Sequence, residues 1–115
     1  FAATKTLALS HGTWRGIEVG GYEIHHGVCR SLEDAEAFLD GVHVGPVWGT
    51  MWHGAFEHDE FRRTWLADAA RHAGSSWRPH SDELGYQARR EAMIETLADA
   101  LEAHVDVDRI LHLVR

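Results

Sequence analysis

Part of a doubly wound α/β domain is predicted by three observations on this 115-residue chain. Apolar and polar residues alternate from Ile17 to residue 25. A β-branched and aromatic run fills 46 to 52. After His53 the apolar period changes from two to about 3.6, as it does where a strand hands over to a helix. Semi-continuous apolar strands followed by helices suit a parallel sheet covered on both faces. Such a sheet needs roughly 150 residues or more to bury its core. Much of it is therefore expected upstream of Phe1, and a chain that opens on Phe rather than Met is expected to have been cut from a longer one.

The elements follow in order. KTLAL, residues 5 to 9, reads as a short strand closed by the turn-like SHG at 10 to 12. GIEVGGYEIHHG carries a strand over 17 to 25, with a bulge or a close backbone approach at Gly20-Gly21. If the alternation continues past the glycines, Glu23 and His25 share one face and Tyr22 and Ile24 the other. SLEDAEAFLDG, 31 to 41, suggests a brief helical turn or a surface excursion. The third strand, 46 to 52, starts on Pro46, a residue suited to a strand's first position. A helix over 59 to 73 follows from Phe61, Trp65, Ala69 and Ala73 at four-residue spacing, with Asp59 as N-cap, Glu60 in the first turn and Gly74 closing it. SSWRPHSDELG is a loop. A second helix spans 86 to 104, with Met93, Leu97 and Leu101 on one stripe beside Ile94 and Ala98. A third, over 107 to 113, is capped by Asp106. There are no internal repeats.

Composition narrows the function classes. With 44% apolar and 25% charged residues the chain suits one globular domain. No window is apolar enough for a membrane span and the N-terminus lacks a signal-peptide layout, so a cytoplasmic protein is expected. A net charge of -7, with basic residues interspersed among acids, argues against a nucleic-acid partner.

His53 is the first candidate for chemistry. An imidazole with an ordinary pKa near 6.5 suits a general base, and a strand end in an α/β fold is where reactive side chains gather. The plain alternative is a strand-end histidine bonded to backbone. Cys29, the single cysteine, cannot form an intrachain disulfide. It lies in HHGVCRS without a Gly-X-Cys-X-Gly elbow or a helix behind it, so it reads as structural or incidental. Ten histidines invite a metal. His25 and His26 are adjacent, though, and point to opposite faces of a strand, and no HExxH or Cys pair is present, so no metal site is expected.

GYEIHHG at 21 to 27, followed by VWGTMWHGAFEHDEFRR at 47 to 63, resembles the paired signature of the glutamine amidotransferase domain of the cobyric acid synthases, GYEIHxG and then GTYxHGxFxNDxFRR. FAATKTLAL resembles the strand ahead of that block and ALEAHVDVDRILHLV the closing helix pair, so the likeness covers nearly the whole chain. It implies the C-terminal portion of a flavodoxin-like, doubly wound class I glutamine amidotransferase domain. His53 matches the catalytic base, which takes the proton of a cysteine thiol attacking the side-chain amide of glutamine. Tyr22, Glu23 and His25 match the GYEIH block; the resemblance leaves open whether they shape the glutamine pocket or brace the histidine, and Glu23 whether it touches substrate or anchors a loop.

The departures limit what is carried over. The family's nucleophile precedes GYEIH in a Gly-rich elbow. Cys29 follows it, so this chain alone is not expected to be a working glutaminase. Met51 and Trp52 replace a Tyr and an aliphatic residue. Ala55 stands where the wider class has a glutamate, which implies a Cys-His dyad; Glu57 is a weak substitute because the chain turns into a helix between them. No cofactor is expected in this chain. The resemblance implies ATP and Mg in an N-terminal P-loop synthetase domain, and as partners glutamine, the upstream part of the same polypeptide and a corrinoid substrate. A cobyrinate diamide synthase, a cell-wall amidating enzyme and a non-catalytic amidotransferase-like scaffold are the other readings.

Overall fold

The computed structural model describes residues 4–28, 30, 34–80 and 84–114. They divide into two units, 1–81 and 82–115. The first is built on a hairpin. Strands β1 (Lys5–Trp14) and β2 (Ile17–His26) pair antiparallel over ten residues in unbroken register, from Lys5 opposite His26 to Trp14 opposite Ile17. Two residues connect them. Arg15 and Gly16 have φ of 52° and 80°, and positive φ at both central positions is what a type I′ hairpin turn demands. Arg15 is an unusual occupant. Its guanidinium lies 4.5 Å over the Trp14 ring and 3.0 Å from Asp68 Oδ1, and these contacts hold it in the left-handed region.

β1 thus runs through residues 10 to 12, where a turn was expected. Its turn-forming residues are used across the strands instead. Ser10 donates its hydroxyl to Glu23. Gly12 lies under the Trp52 indole, close enough that a Cβ there would meet the ring at 3.0 Å.

The segment 31 to 41, expected to be a brief helical turn or a surface excursion, holds a strand where it is described. Strands β3 (Glu36–Phe38), β4 (Gly41–Val44) and β5 (Val47–Gly49) form a separate antiparallel sheet; residues 31–33 lie outside the described residues. The acids and alanines favour a helix locally, but burial of Phe38 overrides that weak preference. Gly41 makes the hairpin possible, because a Cβ would sit 1.9 Å from the Gly49 carbonyl oxygen.

The expected strand over 46 to 52 is two strands in two sheets. Pro46 sits in the turn after Gly45, whose φ is 53°, and β5 follows. The chain then crosses at Thr50 and Met51 to β6 (Trp52–His53), which pairs with β2 in the order β1-β2-β6. Asp40 fixes the crossing: its Oδ1 accepts the Thr50 hydroxyl and, at 3.1 Å, the Met51 N–H. Every described strand pair is antiparallel, against the parallel arrangement expected. The hairpins joined by two residues, β1–β2, β3–β4 and β4–β5, admit no other direction, and β6 returns to β2 antiparallel after the second sheet.

A 3-10 turn, Ala55–Glu57, leads into helix α1 (Asp59–His72). Its N-cap is His58 rather than the expected Asp59, and Gly74 beyond its end has φ 67°. Phe61 is fully buried and forms the core with Trp14, Val19, Phe38 and Ala55. Trp14 meets Phe38 and Phe61 edge-on at 5.7 and 5.6 Å, a favoured aromatic geometry. In the second unit, α2 (Tyr86–His104) and α3 (Val107–Leu113) bury no residue; Asp106 caps α3 by accepting the Arg109 N–H at 3.0 Å. The protein is a small mixed α/β structure.

Candidate active site

His53 ends β6 directly opposite Tyr22 of β2. Directly opposed residues project from the same face of a sheet, and the Tyr22 and His53 rings stack at 5.2 Å and 15°. The chain then leaves the strand sharply. Gly54 takes φ 76°, and its carbonyl accepts the Glu57 N–H at 2.9 Å to close the 3-10 turn. A side chain at 54 would also crowd Tyr22, since a Cβ would lie 3.3 Å from its Cε1. His53 is exposed. Among the described residues its ring packs through its face on Tyr22.

Glu23 and His25 lie together on the opposite face. Glu23 Oε2 is 2.8 Å from His25 Nε2, and Glu23 Oε1 accepts the Ser10 hydroxyl. His25 Nδ1 faces the Gly27 carbonyl at 3.0 Å. With a carboxylate on one nitrogen and a carbonyl on the other, both contacts are served by the doubly protonated ring, so the surroundings favour the imidazolium form. The Glu23 bond raises the His25 pKa against the opposing effect of burial, helped by the Gly27 carbonyl. The Ser10 hydroxyl and then His25 hold the Glu23 carboxyl below its ordinary value. Of the four residues singled out in the sequence, the structure brings Tyr22 to His53 and Glu23 to His25, and separates the pairs by the thickness of the sheet.

Cys29 lies outside the described residues. Among the described residues no group of three or more His, Cys, Asp and Glu is placed to hold a metal ion, and no described helix is long and apolar enough to cross a membrane. Two surface clefts are bordered by other residues of the first unit. One of about 550 Å³ is bordered by His11, Thr13, Glu18, Gly20 and His58; the His11–Gly20 pair is two residues along from Leu9–Tyr22 and on the same face. The other, about 450 Å³, lies by Arg30, Asp40, Val42, Thr50 and Met51.

Two participants escaped the sequence reading. Ser10 was placed in a turn, and only the register of β1 on β2 brings it to Glu23. His58 carries no expectation from the sequence, yet its Nε2 accepts the Gly20 N–H at 3.1 Å. The available signal was a histidine at an N-cap, where Ser, Thr, Asn or Asp is usual.

No family model matches the chain and no solved structure matches it. Curated relatives do. The chain is 42% identical over 115 residues to the cobyric acid synthase of Mycolicibacterium gilvum, and all of it is covered. It is 47% identical over 115 residues to that of Mycobacterium sp. strain KMS, with 99% of the chain covered. Over 114 residues it is 42% identical to that of Streptomyces avermitilis. In each case it spans 22% of the relative's length. Along its whole length, the chain is related to the C-terminal 22% of the cobyric acid synthases.

Proposed function

We propose that this chain is the histidine-bearing part of a glutamine-hydrolysing domain in a cobyric acid synthase, with the flavodoxin-like class I amidotransferase fold completed by the preceding polypeptide. The observation that carries this reading is the exposed His53 at a strand end, its face stacked on Tyr22. His53 takes the proton of a cysteine thiol supplied by the preceding part. The thiolate adds to the glutamine amide carbon; the C–N bond breaks and ammonia leaves with the proton returned by His53. The same ring then deprotonates a water that cleaves the thioester to glutamate and free thiol. Exposed Leu7 and Leu9 on the His53 face support packing of the missing part there. In the whole protein, a cytoplasmic ligase of cobalamin biosynthesis, ATP and Mg in the synthetase domain activate corrin side-chain carboxylates, which the ammonia amidates.

Glutamate release from glutamine by the full-length protein tests this, wild type beside His53→Ala. Removal of a general base is expected to lower kcat by about 10²- to 10⁴-fold with the melting temperature retained. Unchanged activity makes His53 an ordinary strand-end residue. A wild-type protein without glutaminase activity, and without a cysteine elbow upstream, favours the scaffold reading.

A further inference from the structure

We infer that His58 is a positioning residue for His53, acting through the backbone of Gly20; the inference rests on the glutaminase reading. β6 is only two residues long and pairs with Tyr22 and Glu23 alone. The next ladder place on β2 past Tyr22 belongs to Gly20, but the chain has already turned away at Gly54. The His58 imidazole fills that place, its Nε2 accepting the Gly20 N–H at 3.1 Å. Residues 53 to 58 are thereby fastened to β2 at two points: the Tyr22 pairing and the Gly20 clamp.

Two independent features show that the clamp is built into the fold. As N-cap of α1, His58 makes no side-chain bond to its own helix, although such a bond stabilises a helix by about 1 kcal/mol. Its acceptor is directed across to β2 instead. The strand is also cleared to receive it. A Cβ on Gly20 would lie 3.2 Å from His58 Nε2 and 3.3 Å from His11 Nδ1, and a Cβ on Gly21 would lie 2.8 Å from the His53 carbonyl oxygen. Paired glycines let the loop that carries His53 settle onto the strand. A general base must come within about 2.6–3.2 Å of the proton it takes, and a misplacement of about 1 Å lowers rate by about 10²-fold, so two attachment points matter where one two-residue strand is the alternative.

The full-length protein as wild type, His58→Ala, His58→Gln and His53→Ala tests this in two readouts. Glutaminase kinetics are expected to show kcat lowered about 10- to 100-fold by His58→Ala with KM for glutamine little changed. His58→Gln, whose side-chain amide oxygen reaches where Nε2 stands, restores most of it. The second readout is the rate at which diethyl pyrocarbonate modifies His53, followed by peptide mass spectrometry: it is expected to change in His58→Ala and return in His58→Gln. Wild-type kcat in His58→Ala overturns the inference, as does equal impairment of both His58 variants with a matching fall in melting temperature. Full activity in His53→Ala sinks the glutaminase reading instead, and an unchanged His53 modification rate in His58→Ala then sinks the clamp as well.

Discussion

A single missing Cβ at Gly21 sets how closely the His53 backbone approaches β2. In Gly21→Ala the added carbon would sit 2.8 Å from the His53 carbonyl oxygen, a backbone atom on a paired strand that cannot rotate away. Residues 52 and 53 are expected to lift from β2, lowering kcat by about 10-fold or more in the glutaminase assay of the full-length protein, whereas Gly49→Ala, with open space around it and no positive φ, leaves kcat at the wild-type level. The Glu23–His25 pair gives a second residue-level prediction. A lowered carboxyl pKa contributes stability above its ordinary value of 4.5, lost as pH falls through the folded value. A raised imidazole pKa contributes stability that is full below its ordinary 6.5 and lost as pH rises through the folded value. Coupling in a double-mutant cycle of Glu23→Gln and His25→Phe, read from melting temperatures, should be largest between those two ordinary values and fade on both sides. The two-residue period of GYEIHH made this facing of Glu23 and His25 legible; Ser10, their third member, depends on a register thirteen residues away that no local pattern carries.

Among the elements, those with a strong period were readable and those decided by tertiary contacts were not. The four-residue spacing of Phe61, Trp65 and Ala69 marks α1 because it faces a core, and the unbroken stripe of α2 marks that helix equally. By contrast, VGPVWGTMW has the composition of one strand, and the Asp40 carboxylate, twelve residues before Trp52 in the chain, fixes the point at which it divides between two sheets. The Arg15–Gly16 turn was missed because Arg is a poor left-handed residue unless its side chain is held. Asp68 does the holding. Its side chain is fully buried between Arg15 at 3.0 Å and Arg71 at 2.7 Å. Burial drives its pKa up, and the Arg15 bond with the two guanidinium charges outweighs this and leaves it lowered. Asp68→Asn is expected to destabilise by about 1–3 kcal/mol, less than the usual cost of breaking a buried pair because both arginines are partly exposed. Phe61→Ala, which empties the centre of the aromatic core, is expected to cost about 3–5 kcal/mol. Denaturant midpoints at constant m-value check both.

On the scale of the whole chain, the sequence told that apolar strands and stripes must be covered, and it could not tell by what, since the covering atoms belong to no pattern within it. Leu7 and Leu9 are 76% and 82% exposed on β1, which pairs along one edge only among the described residues. Both share the face of Tyr22, Ile24 and His53 by the register of the hairpin. A long edge strand beside exposed apolar side chains favours association. The isolated chain is therefore expected to self-associate, sedimenting above its monomer mass of 12.9 kDa. Leu7→Lys with Leu9→Lys should shift it toward monomer, because charge on an edge blocks strand addition. The same pair of changes in the full-length protein should act in the opposite sense: if the preceding polypeptide packs on this face, burying two lysines there lowers the melting temperature and glutaminase activity together. Gain of solubility in the isolated chain with no loss in the full-length protein would mean that the face stays open in both, and that the cysteine reaches His53 from another side.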